Sequence, residues 1–215
     1  MAHLVFAFLA VAPTTPRISG PALTNALKRS PTMEALLEVH AAQRESFNHI
    51  HLSAFWARSG RLGSSWGVDD ERAAAALQPI LVDTLSMCDV TEFGCRQITG
   101  TAHGLAKGGF ARGAAFRPLW EKLCDSALSQ LEYYSPREIS TTAWAYAKTG
   151  LGSHAFPELY VSLELEARGK LHDYTPQGLA NLAWALAKAE HTAPAFFAEL
   201  EHELQRPTRL ADFSA

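Results

Sequence analysis

From about residue 94 onward, apolar and small residues recur at helical spacing, and the whole pattern recurs along the chain. Phe156, Leu159, Tyr160 and Leu163 follow the i, i+3, i+4, i+7 spacing that lines up side chains on one helix face, and Leu119, Trp120, Leu123 and Ala127 do the same. A second helix type precedes each of these. Segments 94–109, 135–150 and 175–190 align, which brings Lys107, Lys148 and Lys188 into one register. Phe93, Tyr134 and Tyr174 step in the same way, and Ala115-Phe116, Ala155-Phe156 and Ala195-Phe196 recur in phase with them. Two independent landmarks sharing one period of about 40 residues predict a unit made of helix A, a turn, helix B and a link.

The local chemistry agrees with helix starts and stops. Ser135-Pro136 and Thr175-Pro176 place a capping hydroxyl before a proline that needs no donor in the first turn, while Gly109 and Gly150 suit helix ends. Upstream the pattern is looser. Residues 69–88 read as a B-type helix with Leu77, Ile80, Leu81 and Leu85 on one side. Residues 47–60 read as a degenerate A helix in which Ile50, Ala54 and Ala57 share a face, and residues 21–44 as two shorter helices around Ser30-Pro31-Thr32. The expected fold is therefore all-α: an α-solenoid of stacked antiparallel helix pairs with a repeat of about 40 residues. Its clear units are about 92–133, 134–173 and 174–212, and its degenerate units fill 21–91.

The ends carry their own readings. Leu4 to Ala12 is an apolar run followed by a stretch rich in Ser, Thr and Pro, so residues 1–20 are a candidate leader. No basic residue other than His3 precedes the run, and a frayed end is the competing reading. Leu210-Ala-Asp-Phe-Ser-Ala215 copies Leu171-His-Asp-Tyr-Thr-Pro176, the opening of a unit, which predicts a fragment or a truncated array.

Composition narrows the function classes. Hydrophobic residues make up 47% of the 215 and charged residues 19%, a folded profile with no apolar run long enough to span a membrane. Cys88, Cys95 and Cys124 are too few and too irregular for a disulfide framework or a zinc site, and His49 and His51 fall on different sides of a helix. No HExxH, P-loop or CxxC occurs, and helix N-terminal capping accounts for Asp69-Asp70-Glu71. Neither an enzyme, a cofactor, a metal nor a small-molecule substrate is expected.

The net charge of −3 hides a segregation. The three A segments, 94–110, 135–150 and 175–189, hold five basic residues against Glu138 alone, whereas the B segments, 114–134, 151–171 and 190–206, hold five basic and ten acidic ones. Within helix A, Ile139, Ala143, Tyr146 and Ala147 share one face, as do Leu179, Ala183, Leu186 and Ala187, and these are read as packing positions. The opposite stripe is Arg137, Thr141, Trp144 and Lys148, copied as Gln177, Asn181, Trp184 and Lys188 and as Arg96, Gly100, His103 and Lys107. A mildly basic stripe bearing amide groups and flat rings suits single-stranded RNA, with lysines on phosphates and Asn, Gln and Arg on base edges. Blander roles stay open at this point. The tryptophans can pack between repeats, the lysines can offset the helix C-terminal dipole, and Thr141 and Asn181 can be solvated or cap neighbouring turns.

Thr175-Pro-Gln-Gly-Leu-Ala-Asn-Leu-Ala-Trp-Ala-Leu-Ala-Lys188 resembles the signature of octotricopeptide repeats, also found in FAST-kinase-like and RAP-domain proteins. Leu23-Thr-Asn-Ala-Leu-Lys28, Leu36-Leu37 and Phe47-Asn-His-Ile-His51 are similar to the first unit of related organellar proteins of the RNA-editing substrate-binding complex type. The likeness extends over about 21–215 and is strongest at 135–190. It implies an α-solenoid that binds RNA in a mitochondrion or plastid and acts in RNA processing, stability or translation. A protein-interaction scaffold or structural subunit of an organellar ribonucleoprotein, such as the ribosome, is the other implied class. His103-Gly104 replaces the Trp-Ala pair of the other copies, and no RAP-like segment follows from which an activity could be carried over.

Overall fold

The structure is a computed structural model that describes residues 17–88, 93–110 and 114–206. The apolar run of the candidate leader and the C-terminal copy at 210–215 lie outside these residues. The described residues form ten α-helices and no strand. They are α1 (Gly20–Arg29), α2 (Met33–Gln43), α3 (His49–Leu62), α4 (Asp70–Cys88), α5 (Cys95–Gly108), α6 (Arg117–Leu128), α7 (Pro136–Lys148), α8 (Pro157–Gly169), α9 (Pro176–Lys188) and α10 (Pro194–Leu204).

The helices begin and end where side chains can satisfy the backbone. The Ser135 hydroxyl accepts from Glu138 N at 3.4 Å while the Glu138 carboxylate accepts from Ser135 N at 2.9 Å, a reciprocal capping box. Thr175 accepts from Gly178 N at 3.1 Å, and Asp69 caps α4 by accepting from Arg72 N at 2.8 Å. At the other end, Gly109 (φ 80°) and Gly150 (φ 78°) adopt the left-handed conformation that closes α5 and α7. The third copy places Glu190 there at φ 57°, the one non-glycine in that region among the described residues.

Packing follows parity. α1 contacts α3, α3 contacts α5, α5 contacts α7 and α7 contacts α9, while α2 with α4, α4 with α6, α6 with α8 and α8 with α10 form a second series. The B-type faces read from the sequence are the core: Leu119, Trp120, Leu123, Ala127, Leu159, Tyr160 and Leu163 are fully buried. Two of the buried polar groups there are bonded across helices. The Tyr146 hydroxyl donates to Trp120 O at 2.8 Å and the Trp56 indole donates to Thr84 Oγ1 at 2.9 Å. A link within units also recurs. Gln130 Nε2 donates to Phe93 O at 3.2 Å and, about 40 residues later, Lys170 Nζ donates to Tyr134 O at 2.8 Å, so the end of each of these units is tied to its own start.

Two expectations are corrected. In α3 the expected face of Ile50, Ala54 and Ala57 is not the packed one: Ile50 and Ala57 are exposed, and Leu52, Phe55, Trp56, Ser59 and Gly60 are buried instead. His51 explains part of this rotation. Its Nδ1 accepts from Asn48 N at 3.2 Å and its Nε2 lies 3.0 Å from Gly20 O, which turns that side of α3 inward toward α1. In α9, Ala183 is only half-buried and Ala187 is exposed, whereas Ala143 and Ala147 of α7 are buried. The difference is the neighbour: α9 covers that face of α7, and no described helix covers it on α9.

α3 and α5 approach most closely, and glycine is the reason. A Cβ on Gly104 would lie 2.2 Å from Trp56 O, and one on Gly60 would lie 2.7 Å from Gly104 O. A Cβ on Gly100 would meet Ser53 Oγ at 2.7 Å. The His103-Gly104 departure from the Trp-Ala pattern is thus a packing requirement at position 104.

Candidate functional site

The stripe read from the sequence lies on the solvent side of α5, α7 and α9. Arg96, Lys107, Arg137, Lys148, Gln177, Asn181 and Lys188 are exposed, and Gly100, His103, Thr141 and Trp144 are half-buried. Trp144 packs against the core at one edge, and its ring centroid lies 5.3 Å from that of His103 at an interplanar angle of 35°. Trp184, at the same register, is 43% exposed.

The structure gathers part of the stripe into one groove of about 440 Å³ between α5 and α7. Arg96, Gly100 and His103 line one wall, Arg137 and Thr141 the other, with Ala57 of α3 and Ser135 and Glu138 at the start of α7. Beneath it Thr99 and Thr142 share a buried hydrogen bond of 3.1 Å. Lys107, Lys148, Gln177, Asn181, Trp184 and Lys188 do not line this groove; they continue the stripe along the same helices. His103 is the residue that the sequence reading placed in the pattern without giving it a part. Burial, and then the fields of Lys107, Arg137 and Arg61, hold its imidazole below the usual histidine range.

The two helix series differ in how their cations are used. Among the described residues, Lys28, Arg29, Arg61, Arg96, Lys107, Arg137, Lys148 and Lys188 make no hydrogen bond or ion pair, and all lie on odd-numbered helices. On or beside the even-numbered helices, Arg117 pairs with Glu121 at 2.6 Å, Arg168 with Glu199 at 2.5 Å, Lys170 with Glu166 at 3.0 Å and Arg206 with Glu203 at 3.1 Å. Arg44 pairs with Asp83 at 2.6 Å, beside His40, whose Nε2 is 2.8 Å from the same carboxylate. The cations of the second series are therefore paired internally, while the first leaves its charge available to a ligand. No helix of the described residues is long and apolar enough to cross a membrane.

Compared with known proteins, the chain matches no family model and no curated protein.

Proposed function

We propose that this protein binds single-stranded RNA along the exposed side of α5, α7 and α9, as an α-solenoid built from the repeating helix pair. The observation that carries the reading is the set of unpaired cations on the odd-numbered helices, set against the paired cations of the even-numbered ones. Unpaired guanidinium and ammonium groups on a surface with half-buried rings match a ligand that is a chain of phosphates with flat bases attached. In this reading Arg96, Lys107, Arg137, Lys148 and Lys188 contact phosphates. Thr141, Gln177 and Asn181 face base edges, and Trp144 and Trp184 offer ring surface. The resemblance to octotricopeptide repeats supports an organellar setting, in mitochondrion or plastid, with a role in RNA processing, stability or translation.

The test is affinity against salt. Neutralising Lys107, Lys148 and Lys188 together should weaken binding to every sequence and lower the magnitude of the log-affinity against log-salt slope by about 2, since each lost single-strand phosphate contact removes about 0.7. Changing Gln177 or Asn181 should alter base preference at nearly constant slope. A triple variant that binds as the parent does at matched salt would move the reading to a protein-interaction scaffold within a ribonucleoprotein. The feature favouring that second reading is the exposure, among the described residues, of Ala180 and Ala187 on α9.

A further inference from the structure

Gly100 and Gly104 let α5 settle against α3, and a groove of about 440 Å³ lies on the α7 side of α5. Its charged lining is unequal. Arg96 and Arg137 stand on opposite walls with no carboxylate partner. The one acid present, Glu138, has an oxygen occupied by Ser135, accepting from both its backbone N at 2.9 Å and its hydroxyl at 2.7 Å. His103 is part of the lining and has no hydrogen-bond partner among the described residues. The charged groups acting on it are Arg61 from α3, Lys107 from its own helix and Arg137 from α7, all cationic. α6, packed against another side of α5, contributes no residue to the groove.

We infer that this groove is a phosphate pocket in which Arg96 and Arg137 flank the anion, and that His103 takes up a proton as an RNA phosphodiester enters. The inference rests on the RNA-binding reading above and adds His103 and a linked proton to it. In the free protein, burial and three neighbouring cations disfavour the protonated imidazole. A phosphate between the two guanidinium groups cancels part of that field and supplies an acceptor for an imidazolium N–H. The proton comes from solvent, so binding tightens as pH falls. Neither of the later copies has this device: Trp144 and Trp184 occupy the register of His103 and cannot titrate.

The experiment uses a fluorescein-labelled oligouridine RNA and the full chain at constant ionic strength between about pH 6 and pH 8. The affinity of the parent should rise about threefold on lowering the pH across that range, and His103→Asn should abolish the rise. The His103 ring resonances should titrate at higher pH with the RNA bound than without it. Binding that is independent of pH, or a pH dependence that persists in His103→Asn, overturns the inference and leaves the RNA-binding reading intact. Absence of binding by parent and variant alike across the range overturns both. Inorganic phosphate at matched ionic strength should leave the ring titration largely unchanged; if it reproduces the whole shift, the pocket is a site for free phosphate and the assignment to an RNA backbone fails.

Discussion

α7 and α9 carry one pattern in successive units, and they meet different surroundings. In α7, Ser140, Ala143 and Ala147 are buried. At the same register in α9, Ala180 and Ala187 are exposed and Ala183 is half-buried. The faces turned toward the second helix series do not differ: Ile139 and Tyr146 are buried, and so are Leu179 and Leu186. The repeat thus specifies two kinds of packing face. One is filled by the unit's own B helix. The other is filled in α7 by α9, and its small residues allow that helix to come close. In the outward stripe the lysine position is indifferent to neighbours, since Lys148 and Lys188 are both exposed, whereas Thr141 and Trp144 are half-buried and Asn181 and Trp184 exposed.

The largest expected effect extends the comparison to α5. Gly104 stands at the register of Ala145 and Ala185, so Gly104→Ala installs the residue the other copies carry. Its Cβ would nonetheless meet Trp56 O at 2.2 Å, a backbone atom that cannot step aside. We expect a loss of about 2–3 kcal/mol by denaturant unfolding, at the upper end for overpacking. A loss under about 0.5 kcal/mol would show that glycine does not set the approach of α3 and α5.

Next comes the contrast itself. Ala143→Leu should destabilise by about 1–3 kcal/mol because α9 leaves no room beside α7. Ala183→Leu, on the half-open face, should change stability by no more than about 0.5 kcal/mol. Equal losses in both would mean that the two faces are equally filled in solution. Smaller still is the helix end. Glu190 holds a left-handed φ of 57° where the two earlier copies have glycine, so Glu190→Gly should stabilise by about 0.5–1 kcal/mol after the entropy cost of glycine is set against the relieved strain. A decrease in melting temperature would locate a compensating contact in the Glu190 side chain.

Much of this architecture is legible in the chain. The recurrence of the lysine and Ala-Phe landmarks places the described helices from α5 on, and Ser135 and Thr175 cap where their sequence context says they should. Helix faces were harder. The buried side of α3 depends on His51 reaching Gly20 O, a contact between helices that no local pattern encodes. The exposure of Ala187 depends on what lies beside it rather than on what it is. The recurrence of glycine at 100, 104 and 108 was a readable sign of close approach, because a small residue every fourth position forms one line along a helix. The stripe itself was visible as spacing. Its consequence was not, since whether a cation is paired is decided by residues on other helices, as Arg168 with Glu199 shows.

Photocrosslinking a 4-thiouridine-substituted single-stranded RNA to the full chain and mapping the attached peptides tests the central claim most directly. Adducts should fall on α5, α7 and α9, near Arg96, His103, Arg137, Trp144, Asn181 and Trp184, and should disappear when Lys107, Lys148 and Lys188 are neutralised. Adducts concentrated on α6, α8 and α10, or a pattern untouched by the lysine variant, would contradict the assignment of RNA to the odd-numbered helices.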